Sequence, residues 1–328
     1  MIKHGSLVIS LDFEMMWGCH DWATPEGYGE SNIRNVRTVI SRLQALFEIY
    51  SARATFATVG LIFCRDKQEA LESYPKSLPI YLNLNVSPFK GSYIKDISDR
   101  YKELYFAPEM IEYLNQCKNI EVGSHTFSHY FCWEAGQTVE QFSADVAQMQ
   151  KVASDRGITI MSIVFPKNQI SQEYLEVCSK AGIKTYRGNA LKYFNEPKNQ
   201  WEGIKNRICR ILDAYFNVGG YSSIPYSKIN EKEYPINITA SRFIRPFNQK
   251  LSFMEGLRLH RVKKEIEYAA KKGELYHIWW HPHNFGSNMK QNLEFIEEVL
   301  KHYHLCHEKY GMESYTMEEM ADTLIANQ

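Results

Sequence analysis

Short runs of β-branched, aliphatic and aromatic residues alternate with longer stretches whose apolar positions recur every three or four residues, almost from end to end of the chain. Seven such runs predict strands, at residues 7–11, 53–58, 120–123, 161–165, 183–186, 236–241 and 275–280. Helical spacing covers 32–50, 108–118, 139–156, 172–181, 201–216, 253–272 and finally 289–310, which closes the order. The first helix shows the pattern most plainly: Ile33, Val36, Val39, Ile40, Leu43, Leu46 and Phe47 share one face at a period of about 3.6 residues. Gly157, Gly182 and Gly273 each stand just past a helix and just before a strand, where glycine takes positive φ and turns the chain back.

Strand and helix in alternation mark βα units around a parallel sheet, and seven units imply a barrel or a strongly curved sheet. The expected fold is α/β, a single domain over 1–328, with long surface loops at 74–100 and 219–234, where Pro, Ser, Gly, Asn and Tyr accumulate. No internal repeat or low-complexity tract interrupts it. Barrels of this kind carry their chemistry on the loops at the C-terminal ends of the strands, so the residues that follow each strand are the candidates.

Composition narrows the partners. Lys plus Arg equals Asp plus Glu at 38 each, leaving no broad basic field to gather nucleic acid or an anionic membrane. The opening apolar run, 7–11, is short and stops at Asp12, so neither a signal peptide nor a membrane span is expected, and the protein reads as cytoplasmic. Seven scattered cysteines with no C-x-x-C argue for buried thiols rather than a disulfide framework or zinc ribbon. Oligomeric state is not legible.

The first strand runs into Asp12, Phe13 and Glu14, and carboxylates two apart in an extended segment face the same side, where their repulsion favours a cation. The third runs into His125-Thr-Phe-Ser-His129, whose imidazoles meet on one face if the segment forms a single helical turn, the separation a divalent-metal site needs. The last ends in His281, Pro282, His283, Asn284 and Phe285. Three distant segments thus bring two carboxylates and four histidines to one rim. A divalent ion on two imidazoles and one carboxylate polarises a carbonyl and acidifies water; the second carboxylate can take the proton, and a histidine can protonate a departing amine.

These residues resemble the polysaccharide deacetylases, the NodB-homology family also grouped as carbohydrate esterase family four, whose fold is a distorted (β/α)7 barrel. HTFSH satisfies the family's H-[ST]-x-x-H motif, and LDFE is similar to a D-x-[DE] variant of its first motif. The resemblance implies Asp12 as base, Glu14, His125 and His129 as ligands of one divalent ion, and His281 as acid; the alternatives are Asp12 in place of Glu14 on the metal, and His283 as acid or as a substrate contact. Zinc is the expected metal, although two histidines and a carboxylate also accept nickel, cobalt, manganese or iron. The family's motif arginine is absent from the segment Phe165-Pro166-Lys167-Asn168-Gln169, so Lys167 or Arg187 is left to supply the cation that orients the base. Asn168, Gln169 and Asn284 are candidate contacts to sugar hydroxyls or an oxyanion, and the segment Trp17-Gly18-Cys19-His20-Asp21-Trp22, with Trp17 foremost, is a candidate aromatic wall. The implied activity is removal of the N-acetyl group from an N-acetylated sugar, a nucleotide-linked or lipid-linked precursor of a surface polysaccharide. Alternatives are another amidohydrolase acting on a small amide, and a silent carbohydrate-binding protein of the same fold.

Overall fold

The computed structural model describes residues 2–91, 93–191, 209 and 212–327. Its strands are β1 (Ser6–Phe13), β2 (Ala54–Thr58), β3 (Ile120–Ser124), β4 (Ser162–Ile163), β5 (Thr185–Tyr186), β6 (Ile236–Asn237), β7 (Arg242–Phe243), β8 (Leu275–Trp280) and β9 (Glu313–Tyr315). They join one sheet in the order β6-β5-β4-β3-β2-β1-β8-β7, with every pairing between named strands parallel. β9 takes the opening half of β1, pairing Ser6 to Val8, while β2 takes Ser10 to Phe13.

The two edges of that sheet are one piece of chain. β6 pairs β5 and β7 pairs β8, yet both lie in the stretch 236–243. Along it the backbone changes partner in one step: Ala240 N donates to Gly188 O at 2.9 Å, and Ser241 N donates to His277 O at 2.7 Å. The sheet therefore curls until its edges meet. The run predicted as a sixth strand, 236–241, is this seam, divided between two short strands because no single straight strand can serve both neighbours.

All eight residues of β1 are buried, as in a parallel strand covered on both faces. Leu7, Ile9, Leu11 and Phe13 belong to the main core beneath the helices, whereas Val8 joins Ala57, Val164, Ile236, Ile238 and Leu275 in a second cluster. Ser10 and Asp12 share the face of Val8, so the period of two sends the same strand's polar residues toward the barrel's interior.

The helices are α1 (Val36–Ile49), α2 (Lys67–Glu72), α3 (Pro108–Gln116), α4 (Val139–Ser154), α5 (Gln172–Lys180), α6 (Glu255–Lys272), α7 (Met289–Tyr310) and α8 (Met317–Ala326). Six of the predicted helices appear, shortened at their ends except for 289–310; the helix predicted at 201–216 lies for the most part outside the described residues. Gly157, Gly182 and Gly273 do have positive φ, at 70°, 79° and 65°. The order does not close at α7. β9 and α8 follow, and Met317, Met320, Ala321 and Leu324 of α8 complete the second cluster. Of the two loops, 74–100 is less superficial than expected: Tyr81, Val86, Ile94 and Ile97 are buried, and Phe131 N donates to the Tyr81 hydroxyl at 3.0 Å. No described helix is long and apolar enough to cross a membrane.

Candidate metal and active site

The site is built where β1, β3, β5 and β8 end. Asp12 is the penultimate residue of β1 and Glu14 the first beyond it, and both are buried. A 3₁₀ turn, Met15–Gly18, folds directly after Glu14 and passes beneath its side chain. The approach is so close that a Cβ on residue 18 would stand 2.0 Å from Glu14 Oε2 and 2.4 Å from its Cδ. Only glycine leaves that carboxylate its place.

His125 follows β3 directly. The segment to His129 does not form the expected helical turn. Instead Thr126 and His129 take positive φ, 62° and 57°, a costly conformation for a β-branched threonine. The loop is pinned where those kinks leave backbone donors without partners. Asp145, on α4, accepts from Phe127 N at 2.6 Å and Ser128 N at 3.1 Å, and also from the Ser128 hydroxyl. Burial pushes the Asp145 carboxyl up to about 7, against the pull of these donors. Thr126 Oγ accepts from Tyr130 N at 2.7 Å, and the two imidazoles end 5.1 Å apart.

Three imidazole nitrogens converge on one carboxylate oxygen. Glu14 Oε1 lies 3.0 Å from His125 Nε2, 3.3 Å from His129 Nε2 and 3.4 Å from His281 Nε2. His125 Nδ1 is 2.8 Å from Val164 O, and because a carbonyl only accepts, Nδ1 carries the proton. Nε2, the other nitrogen of that ring, faces the carboxylate. Burial lowers His129 to about 4, so it is neutral near pH 7. Burial pushes Glu14 up, but the surrounding imidazoles, His281 foremost, hold it well below the ordinary carboxylate range. Imidazole nitrogens and a carboxylate oxygen gathered this closely in a buried site make the donor set of a divalent cation. Glu14, His125 and His129 have ligand atoms within 4.8 Å of one another, and two nitrogens with one oxygen suit a borderline divalent ion. The residues fit such an ion; they do not select which.

Beside this group, Arg187, the first residue past β5, clamps Asp12 with a bidentate pair, Nη1 to Oδ1 at 2.6 Å and Nη2 to Oδ2 at 2.8 Å. Burial pushes Asp12 up, but Arg187, with His125 and His281 nearby, holds it below its ordinary value. Of the two cations left open by the sequence, it is therefore Arg187 that pairs with Asp12. Lys167 instead pairs with Asp21 at 3.1 Å and lies over the Phe131 ring, half exposed.

His281 Nε2 stands 3.6 Å from Asp12 Oδ2. Asn284 Nδ2 lies 3.3 Å from His281 Nδ1, and the Tyr28 hydroxyl donates to Asn284 Oδ1 at 3.0 Å. Nδ1 thus faces Asn284, and Nε2 faces the carboxylates. Burial lowers His281, but the charges of Glu14 and Asp12 outweigh it and raise its pKa. His283 stacks parallel to His281 at 5.1 Å, its Nε2 3.9 Å from Glu14 Oε2; burial and the neighbouring His281 bring it down to about 4.

The remaining candidates divide. Asn168 Oδ1 accepts from Arg187 Nη2 at 3.3 Å, and its side chain borders a cavity of about 300 Å³ lined also by Asn189, Ser241, Arg242, Phe243 and Trp279. Gln169 is committed to the loop, accepting from Trp133 N at 3.1 Å. Trp17 is not a wall of the cleft: it is wholly buried, donates to Tyr105 O at 2.7 Å and packs on Tyr93, Tyr105 and Phe106. Of the same segment it is Trp22 that is exposed, packed on Tyr28, whose ring meets His283 edge-on. Tyr28 and Asp145 were not singled out by the sequence, and Gly18 only as a member of the segment 17–22. Gly18 alone left a signal, a glycine closely following the acidic pair.

Neither a family model nor a curated protein matches the chain by sequence. Solved structures do match. A structure described as a candidate polysaccharide deacetylase from Mycobacterium smegmatis aligns over 100% of this chain and 93% of its own, at 10% identity and a TM-score of 0.56. A CE4 family pseudoenzyme from Bacillus anthracis aligns over 98% of this chain and 67% of its own, at 10% identity and 0.47. A 4-alpha-glucanotransferase from Thermococcus litoralis aligns over 99% and 41%, at 12% and 0.49. The chain carries the α/β barrel fold seen among the polysaccharide deacetylases, the family its motifs resemble.

Proposed function

We propose that the protein is a zinc-dependent hydrolase that removes the N-acetyl group from an N-acetylated sugar. The observation that carries this is the convergence of His125, His129 and Glu14 beside an Asp12 held by Arg187. Glu14, His125 and His129 hold the ion, which when bound supplies Lewis-acid polarisation of the amide carbonyl and acidifies water. Asp12 takes the proton of the attacking water. Its two oxygens are oriented by the guanidinium, and its lowered pKa keeps it ionised and ready to accept. His281, as the imidazolium that its raised pKa favours, gives its Nε2 proton to the departing nitrogen and is left as the neutral ring, with Asn284 packed against Nδ1. His283, neutral and stacked on His281, backs the acid rather than replacing it.

The neighbouring cavity favours a sugar over a small acid. Trp279 and Phe243 offer flat apolar faces, and Asn168, Asn189 and Ser241 offer hydrogen bonds. The fork of Arg242 is already taken by Glu265 and by Asp213 at 3.1 Å, so it does not stand ready for a substrate carboxylate. We place the substrate inside the cell, as a nucleotide-linked or lipid-linked precursor of a surface polysaccharide. The test is acetate release from a panel of such sugars by zinc-loaded wild type, Asp12→Asn and His125→Ala. Turnover by wild type alone supports the reading; no turnover, with zinc retained after loss of both His125 and His129, overturns it.

A further inference from the structure

Behind the Arg187 clamp runs a polar chain that no step above uses. Arg187 Nη1, besides its bond to Asp12, donates to Ser10 Oγ at 3.1 Å; Ser10 Oγ lies 2.8 Å from His277 Nε2; and His277 Nδ1 lies 2.9 Å from Ile238 O. Ser10 and His277 are wholly buried and Arg187 nearly so. The direction of every bond is forced. Ile238 O only accepts, so His277 Nδ1 donates; in the neutral ring Nε2 then accepts, so the Ser10 hydroxyl donates to it and turns its lone pairs to Arg187.

We propose that Ser10 and His277 are positioning residues for the base: they hold the guanidinium that holds Asp12. The inference rests on Asp12 serving as base in the reading above. Arg187 follows a strand of two residues, Thr185–Tyr186, a short anchor for a side chain that must be fixed. Trp279 restrains it in one direction, with the guanidinium carbon 4.0 Å from its ring centre, but a ring face does not stop rotation in the guanidinium plane. An acceptor in that plane does. Asp12 and Asn168 supply the others, and Ser10 Oγ, beside Asp12 on the same guanidinium nitrogen, fixes the angle of the fork. His277 in turn keeps the hydroxyl from rotating, and its backbone joins it to the seam through Ser241 N and Oγ.

The test combines spectroscopy with kinetics on the full-length zinc-loaded protein. In wild type, ¹⁵N NMR should find His277 as the Nδ1–H tautomer and separate Nη signals for a slowly rotating Arg187. Ser10→Ala should merge those Nη signals and lower kcat about tenfold, the worth of one charge-assisted bond, with KM and zinc content unchanged. Ser10→Thr, which keeps the hydroxyl, should restore both, and Ser10→Ala should cost nothing further in an Arg187→Lys background. Should Ser10→Ala fail to fold, His277→Gln is read in the same way. An Nε2–H tautomer, Nη signals that stay separate in Ser10→Ala, or a kcat loss that persists in the Arg187→Lys background overturns the proposal. If wild type deacetylates no sugar, the function fails on its own account, while the tautomer and the Nη signals still decide the support.

Discussion

Adding one methyl group at residue 18 should empty the metal site while leaving the barrel standing. In Gly18→Ala the new Cβ would lie 2.0 Å from Glu14 Oε2, 2.4 Å from Cδ and 2.6 Å from the Glu14 Cβ. Non-bonded heavy atoms settle about 3.5 Å apart, so the carboxylate must retreat by roughly 1 Å or more. Metal–ligand distances tolerate only about 0.2 Å, so Glu14 leaves the ligand set and two imidazoles remain. Disturbing a partner that merely orients a ligand costs about 10- to 100-fold in metal affinity, and displacing the ligand itself should reach at least the upper figure. The Glu14 Cβ is fixed by its own backbone, so the short turn Met15–Gly18 must shift as well, but Gly18 is not among the residues with positive φ, so the alanine adds no φ strain of its own. The assay is zinc affinity by competition with a chromophoric chelator, with thermal unfolding of the metal-free protein as control. Zinc bound within about threefold of wild type would refute the reasoning, because the clash would then be relieved without moving Glu14.

Asp145→Asn replaces a two-oxygen acceptor with one oxygen and an amide facing donors; leaving one or more loop donors unsatisfied should destabilise the protein by about 1–3 kcal/mol, seen in urea unfolding, and weaken zinc binding although residue 145 touches no ligand atom. Asp12→Asn should retain zinc while kcat falls by roughly a hundredfold or more, measured as acetate release. Burial and the Arg187 charge bring His277 down to about 3. Below its ordinary value near 6.5 the unfolded chain takes up a proton that the folded chain refuses, so stability is whole above that pH and falls by up to about 1.4 kcal/mol per unit as pH drops toward 3. His277→Gln should therefore show an acid slope shallower by about one proton in urea unfolding between pH 6 and 4; an equal slope would exclude a neutral His277. Lys167→Ala, breaking a half-exposed pair, should change stability by less than about 1 kcal/mol and activity little.

What could be read ahead of the structure depended on how local each cause is. Strand-end histidines and the acidic pair are local, and so their shared rim followed from alternation alone. The geometry of HTFSH is not local: its kinks at Thr126 and His129 hold because Asp145, 17 residues beyond Ser128, collects the freed donors. Arg187 against Lys167 was undecidable in one dimension, since both follow strands, and only the sheet order brings Arg187 in front of β1. Trp17 misled because an aromatic beside a site is as ready to pack beneath it as to face it. The missed α8 was legible: Thr316 and Glu319 form a capping box, and its apolar residues recur at helical spacing. The division of the sixth strand was not, because a continuous β-branched run carries no mark of which neighbour each residue will bond.

The seam at 236–243 also limits how this fold can change its ligand. Ala240, Ser241, Arg242 and Phe243 border the cavity beside the site, and the same short stretch ties the two sheet edges together. Selecting a ligand and closing the barrel are therefore one task for these residues. Substitutions there that widen the cavity also loosen the closure, so new substrates should be reached more readily from the opposite rim, around Trp22 and Tyr28, where side chains carry no structural duty to the sheet. Diversity among proteins of this architecture should accordingly gather on one side of the mouth and be sparse on the other.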